Sequence, residues 1–480
     1  MKKLTTIFLI IISLTVLWAN KPKNIILLIS DGTGFNHVKA TNYYQYGKKG
    51  QQTYQKFSVS CAMSTYSIKG DYKPEETWRN FENPLDRYTD SAAAGTAIAT
   101  GIKTYNGAIG VDTNKTEIKN LIEYAEDSKM STGVISSVMF SHATPASFVA
   151  HNPDRGQYEK ISQEMITESK VEVIMGAGHP YYNSNGKKVK GKSEKFDYQN
   201  QDKNSDKMQV SYKYVGGEQT WKKVVQNKVG NDCDYDGAPE NWKLIQKRAA
   251  FKKLSQGKTP ERVLGVPQVR NTLHYARKGE SKEPFDVPLN NNIPRLAEMT
   301  SAGLNVLDNN KNGFFLMVEG GAVDWASHGN NSSRMIEELT DFNNSVQEVV
   351  NWVNENSNWQ ETLVIVTSDH ECGYLFGPKS AVQKREVNSD CQECPDRQRN
   401  YIREIGEPIH SIWKPIQNNG ENNMPGMKWY SEGHSNLLVP FYAQGAGSKS
   451  FLTPADQEDL HYGKYLDNTE LGQTLIEFVK

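Results

Sequence analysis

Asp31, Glu319, Asp324, His328, Asp369, His370 and His434 are all metal-ligand types, and most lie within a residue or two of a short apolar run. ILLIS precedes Asp31, FLMV precedes Glu319, LVIVTS precedes Asp369-His370, and LLVPFYA follows His434 closely. An apolar β-run needs no carboxylate or imidazole at its end to fold. Ligand types repeated at strand ends therefore predict one convergent site at the edge of a parallel sheet, where open α/β folds bind their ligands. Asp31, Asp324, His328, Asp369, His370 and His434 give three carboxylates and three imidazoles, a mixture that suits Zn²⁺. Asp324 and His328 are spaced i, i+4, so a helix there would put them on one face; alone, that spacing is weak. Glu319 and Thr144 offer oxygen only. With a carboxylate oxygen of Asp31 they suit a hard ion, Mg²⁺.

Ser91 adds a nucleophile. Asp90-Ser91 leads into AAAGTAIATG, so Ser91 falls where a helix begins. A serine there ordinarily caps the helix. The same position also favours a phosphate, through free N–H groups and the helix dipole. A serine hydroxyl beside Zn²⁺ can lose its proton and attack phosphorus. Arg155, in HNPDRGQY, carries a planar fork that matches two phosphate oxygens, although a lone arginine after turn residues is more often a surface cation.

The elements that must hold these residues read as α/β. Strand candidates are Asn24–Ser30, Gly133–Met139, Val171–Met175, Phe314–Val318, Leu363–Ser368 and Leu437–Ala443. Several are apolar at both parities, as strands covered on both faces are. Helical spacing appears over Ile118–Ser128 and Ser332–Asn351. The alternation predicts a central, mostly parallel sheet sandwiched by helices. Two polar stretches, about 181–291 and 376–431, interrupt it and read as surface insertions into one domain spanning 20–480.

The 480 residues carry 55 Lys+Arg against 56 Asp+Glu, so no basic excess points to nucleic acid. The N-terminus has a signal-peptide layout over 1–19: Lys2 and Lys3, an apolar core from Leu4 to Trp18, then Ala19. Removing it takes two lysines and no acid, moving the formal charge from −1 to −3. Leu17 fits the −3 cleavage position poorly, which leaves an uncleaved anchor as the alternative; no Cys near the cut offers a lipid anchor. The expectation is a periplasmic or secreted protein with no stable membrane anchor. Five cysteines, Cys61, Cys233, Cys372, Cys391 and Cys394, leave at least one unpaired within the chain. Cys391-x-x-Cys394 has no second such pair, so a local disulfide or two plain thiols fits better than a metal knuckle.

Taken together, NIILLISDGTGF, YTDSAAAGTAIATG, SHATPASFVAHNPDR, VIMGAGHP, GFFLMVEGGAVDWASHGNN, VIVTSDHECG and EGHSNLLVP resemble the alkaline phosphatase family, in its order, from residue 24 to 443. The resemblance implies that Ser91 becomes phosphorylated and that Arg155 binds the phosphate dianion. It implies one Zn²⁺ on Asp324, His328 and His434, a second on Asp31, Asp369 and His370, and Mg²⁺ on Asp31, Thr144 and Glu319. Homodimerisation is implied by the resemblance alone.

Two positions vary in that family. This chain has His142 and Trp325 where the best-known bacterial members have Asp and Lys, a pair similar to that of some marine and thermophilic members. The resemblance implies that His142 can shift the third site from Mg²⁺ towards Zn²⁺ or Co²⁺. It implies that Trp325, by removing a cation, weakens retention of product phosphate. The expected reaction is hydrolysis of phosphate monoesters at neutral to alkaline pH. A phosphodiesterase of the same superfamily is the nearest rival, and Thr144, Glu319 and Arg155 weigh against it. No Cys-x-Pro-x-Arg nucleophile supports a sulfatase, and Ser91 weighs against a binding protein without catalysis.

Overall fold

The computed structural model describes residues 21–189, 209–233, 235–380 and 413–480. The segment read as a signal peptide and the Cys391–Cys394 pair lie outside them. Eleven strands form one sheet: β1 (Asn24–Ile29), β2 (Val59–Ser64), β3 (Ser131–Met139), β4 (Val173–Ala177), β5 (Lys243–Ile245), β6 (Val263–Gly265), β7 (Phe314–Glu319), β8 (Thr362–Thr367), β9 (Val439–Gly445), β10 (Gln457–Asp459) and β11 (Gly463–Asp467). Their spatial order is β10-β11-β2-β9-β8-β1-β7-β3-β4-β6-β5. From β8 to β5 every neighbouring pair is parallel. β9 runs antiparallel to β8 and β2, and β10 antiparallel to β11. The mostly parallel sheet expected from the sequence is present.

β1 shows why both parities are apolar. Ile25, Leu27 and Ile29 pack on one face of the sheet, Ile26 and Leu28 on the other, and all five are fully buried. The first face is covered by helices α2 (Ser91–Thr100), α3 (Leu121–Asp127), α5 (Tyr158–Thr167) and α9 (Asn468–Val479). The second is covered by α1 (Phe35–Tyr46), α6 (Leu296–Leu307) and α8 (Ser332–Asn356). α8 buries Met335, Ile336, Leu339, Phe342, Val346 and Val349, a 3.6-residue stripe, and Asn331 caps it by accepting from the Arg334 amide. It continues five residues past the expected end. α3 starts three residues later than expected, because Asn120 and Glu123 close a capping box there.

The two polar stretches are not wholly surface. Within 181–291, β5 and β6 extend the sheet, and Trp221, Trp242 and Phe251 are buried. Single aromatic side chains bury enough area to anchor a segment with few apolar residues. The ends of 376–431 are also packed: Leu375–Phe376 pairs with Lys428–Trp429, and Trp413 stacks near Phe81 and Trp78. Among the described residues no helix is long and apolar enough to cross a membrane. Cys61, Cys233 and Cys372 are buried free thiols.

Candidate active site and metal centre

Four neighbouring parallel strands end at the site. In register, Ile29 of β1 lies opposite Thr367 of β8 and Glu319 of β7, and Glu319 lies opposite Ser136 of β3. The chain leaves β1 into Asp31, β8 into Asp369-His370 and β3 into His142 and Thr144, the latter on the short helix α4 (Ala143–Ser147). Asp31, Thr144, Glu319, Asp369 and His370 are fully buried. Asp324 and His328 share a face of α7 (Ala322–His328), as their spacing predicts. His434 arrives on a two-residue strand whose partner is Glu371–Cys372. Gly32 makes the approach of Asp31 to α7 feasible: its φ is +73°, and a Cβ there would sit 2.7 Å from the Asp324 Cα.

The side chains converge in two groups. His328 Nε2 and His434 Nε2 each lie 3.4 Å from an Asp324 oxygen and 3.0 Å from one another. His434 donates from Nδ1 to the Thr89 carbonyl at 2.8 Å, and His328 donates from Nδ1 to the Glu432 carbonyl. A carbonyl only accepts, so each ring keeps its proton on Nδ1 and turns the Nε2 lone pair inward, the tautomer a metal requires. In the second group, His370 Nε2 lies 3.3 Å from Asp369, 3.4 Å from Asp31 and 3.1 Å from Ser91 Oγ. Donor atoms of Asp31, Asp324 and His370 fall within 4.8 Å of each other, as do those of Asp31, His142 and Glu319. Those of Asp324, His328 and His434 do so together with the Cys372 thiol.

Elementary electrostatics says what this cluster lacks. Both Asp31 carboxylate oxygens, Asp324 Oδ1, Asp369 Oδ2, Glu319 Oε1, Thr144 Oγ1 and His142 Nδ1 are buried without a hydrogen-bond partner. The ion-pair distances above are therefore not hydrogen bonds in geometry. Burial, then the facing carboxylates, push Asp31 well above the usual carboxylate range. Burial raises Glu319 to about 8 against a hydroxyl donated by Ser136, and it raises Asp369 to about 6 with help from Asp324. Burial opposes the charge of Asp324 too, and positive charge on the His328 and His434 side is what outweighs it and holds that carboxyl low. Burial and the nearby Arg155 push His142 down to about 3, so it is neutral. Buried carboxylates with no partner are expensive unless cations pair with them. The donor set thus fits divalent ions.

Ser91 is the first residue of α2, but it does not cap it. Asp90 does, accepting from the Ala93 amide at 2.9 Å through Oδ1. That frees the Ser91 hydroxyl. The other Asp90 oxygen accepts from Arg155 Nη1 at 2.9 Å and from the Gly107 amide at 2.9 Å. Ser91 and Arg155 line one cavity of about 430 Å³ with Asp324, His328, His434, His142 and Trp325. Asp31, Glu319, Asp369 and His370 do not line the cavity but adjoin it through the donor groups above, and Thr144 lies beside Glu319. Sequence reasoning missed the grip of Asp90 on Arg155, the Ser136 contact to Glu319, the proximity of Cys372, and Tyr275, which also lines the cavity. Cys372 and Asp90 each adjoin a motif residue or lie two away; Tyr275 carries no sequence signal at all.

Residues 22–468 match the family model described as alkaline phosphatase. The chain belongs to the alkaline phosphatase family. It is 27% identical over 468 residues to alkaline phosphatase 4 of Bacillus subtilis (strain 168), covering 89% of this chain and 85% of that one. It is 30% identical over 391 residues to alkaline phosphatase H of Pseudomonas aeruginosa (strain UCBPP-PA14), covering 75% and 72%. Its fold is shared with a variant of the alkaline phosphatase from the Antarctic bacterium TAB5 that has Mg bound in its M3 site. There the TM-score is 0.58 at 24% identity, over 96% of this chain and 98% of that one. As an alkaline phosphatase family member, the protein is a metal-binding hydrolase of phosphate monoesters.

Proposed function

We propose that the enzyme hydrolyses phosphate monoesters by two displacements through a phosphoserine on Ser91. In the first, Ser91 Oγ bonds to phosphorus as the ester P–O bond breaks and the alcohol departs. In the second, water attacks phosphorus, the Oγ–P bond breaks, and inorganic phosphate leaves Ser91 as it began. Ser91 is fit for this because Asp90 has taken over the capping role. The free N–H groups at the start of α2 favour an anion there. Arg155, held by Asp90, presents its remaining N–H donors to the phosphoryl oxygens. Both attack and departure are served by donors fixed before substrate arrives.

For the metals we infer two Zn²⁺, one on Asp324, His328 and His434 and one on Asp31, Asp369 and His370, with Mg²⁺ on Asp31, Thr144 and Glu319. His142, whose donor atom lies within 4.8 Å of those of Asp31 and Glu319, makes Zn²⁺ or Co²⁺ the alternative at the third site. Ions of this class supply Lewis acidity, acidify a bound hydroxyl or water, and offset charge on phosphoryl oxygens.

The observation that carries this reading is a nucleophile and a guanidinium sharing one cavity with a buried, cation-deficient cluster of carboxylates and imidazoles. Release of phosphate from a chromogenic monoester, lost with chelator and lost in Ser91→Ala, is the expected result. Acid quench with labelled substrate should trap phosphate on Ser91. A diester rate above the monoester rate would overturn the choice in favour of a phosphodiesterase. We read residues 20–480 as one catalytic domain, exported to the periplasm or secreted after loss of 1–19; fractionation and N-terminal sequencing of the mature protein test that.

A further inference from the structure

We propose that the cavity favours phosphate monoesters whose leaving group is planar, apolar and uncharged, aryl phosphates being the type, and that Tyr275 and Trp325 read it. The inference rests on the monoesterase reading above.

Pockets of about 300–1,000 Å³ hold whole small-molecule ligands. At about 430 Å³ this cavity exceeds what a phosphoryl group and the ion that Asp324, His328 and His434 would hold need together, so part of it accommodates the leaving group. Ser91, Arg155, Asp324 and the histidines supply its polar side; Tyr275, Trp325 and Gly329 complete the lining. Both aromatic residues are half-buried, which leaves part of each side chain open to solvent. Gly329 lets Tyr275 come close: a Cβ at that position would lie 2.9 Å from the tyrosine hydroxyl. The tyrosine thus lies against the backbone that ends α7, one turn from Trp325. Trp325 is in turn backed by the His142 ring at 5.9 Å, which stacks with Tyr158 at 6.3 Å. The tryptophan is therefore buttressed.

The charges point the same way. Among the described residues lining the cavity, Arg155 is the one Lys or Arg, and Asp90 already engages it. Asp324, His328 and His434 are committed to the ion that serves the phosphoryl group, so a leaving group with its own phosphates or carboxylates would find rings beyond it, with no further lysine or arginine. A planar apolar group would gain ring contact with two aromatic side chains.

Titration calorimetry on the full-length, metal-loaded protein with phenylphosphonate, methylphosphonate and inorganic phosphate tests this without turnover. In the wild type, phenylphosphonate should bind about tenfold tighter than methylphosphonate, the ratio expected of a few favourable aromatic contacts. Tyr275→Ala should cut that ratio to about threefold or less while phosphate affinity stays unchanged, and Tyr275→Phe should keep it. Tyr275→Leu serves if the alanine variant does not fold. A wild-type ratio near one overturns the proposal. So does a ratio that survives in folded Tyr275→Ala or Tyr275→Leu, or a parallel loss of phosphate affinity. Failure of the underlying reading looks different: no monoester, aryl or alkyl, would release phosphate.

Discussion

Arg155 donates from Nη1 to one oxygen of Asp90 at 2.9 Å, while the other oxygen of Asp90 caps the helix that begins with Ser91. One carboxylate thus fixes the cation, the start of the helix and, through the helix, the nucleophile. Asp90→Ala should cost about 1 kcal/mol of stability from the lost cap. It should also weaken inorganic phosphate binding several-fold as Arg155 loses its anchor. Asp90→Asn keeps a capping oxygen and should recover most of the stability but less of the affinity. Denaturant midpoints and phosphate inhibition constants separate the two effects; equal phosphate affinity in all three proteins would dissolve the link.

Removing divalent cations should lower the melting temperature as well as activity. The unpaired oxygens of Asp31, Glu319 and Asp369 then face one another with their side chains buried. Linkage makes the effect depend on free ion concentration. Scanning fluorimetry with chelator, then with Zn²⁺ and Mg²⁺ restored, checks it. A melting temperature indifferent to chelator in protein shown to be metal-loaded would count against a metal centre here.

His151 provides a pH-dependent stability outside the site. Burial opposes its charge, but the facing carboxylates of Glu123 and Glu164 outweigh this and raise it to about 10. A histidine raised in the folded state stabilises fully below about 6.5, and the contribution fades as pH climbs towards 10. Wild type should therefore exceed His151→Gln in stability by about 2 kcal/mol near pH 6.5, a figure discounted for the partly exposed Glu123. The gap should narrow by pH 10. A gap that widens with pH would reverse the sign and refute the assignment.

Trp325→Lys should tighten product inhibition. The tryptophan lines the cavity beside Arg155, and a lysine there would add a second cation for the phosphate dianion. The inhibition constant for inorganic phosphate should fall several-fold, and turnover should slow if release limits it. An unchanged constant would mean that position 325 does not sense product.

The sequence exposed the middle of the sheet and little of its rims. β1, β7 and β8 are apolar at both parities because helices cover both faces, and that pattern is readable residue by residue. VSCAMS of β2 and GKYLD of β11 mix small and polar residues near the sheet edge and carry no such pattern. The direction of β9 was equally hidden, since an apolar run looks the same parallel or antiparallel. KLI and VLG are too short to signal strands within a polar stretch, although neighbouring aromatic residues bury themselves there. Motif residues were found because their chemistry is dense. Asp90 as an anchor and Tyr275 as a wall emerge only from proximity across 65 residues in one case and 54 in the other, to Arg155 and Gly329 respectively.

Asp31, Asp369 and Glu319 end three neighbouring rungs, with Ile29 level with both Thr367 and Glu319. Adjacent strands stand about 4.8 Å apart whatever their side chains. The main chain is therefore the ruler for these three carboxylates. Loops can lengthen and sheet rims can be rebuilt over generations without rescaling the distance between charges. A slip of β1 by one residue would turn Asp31 to the opposite side and erase the site in a single step.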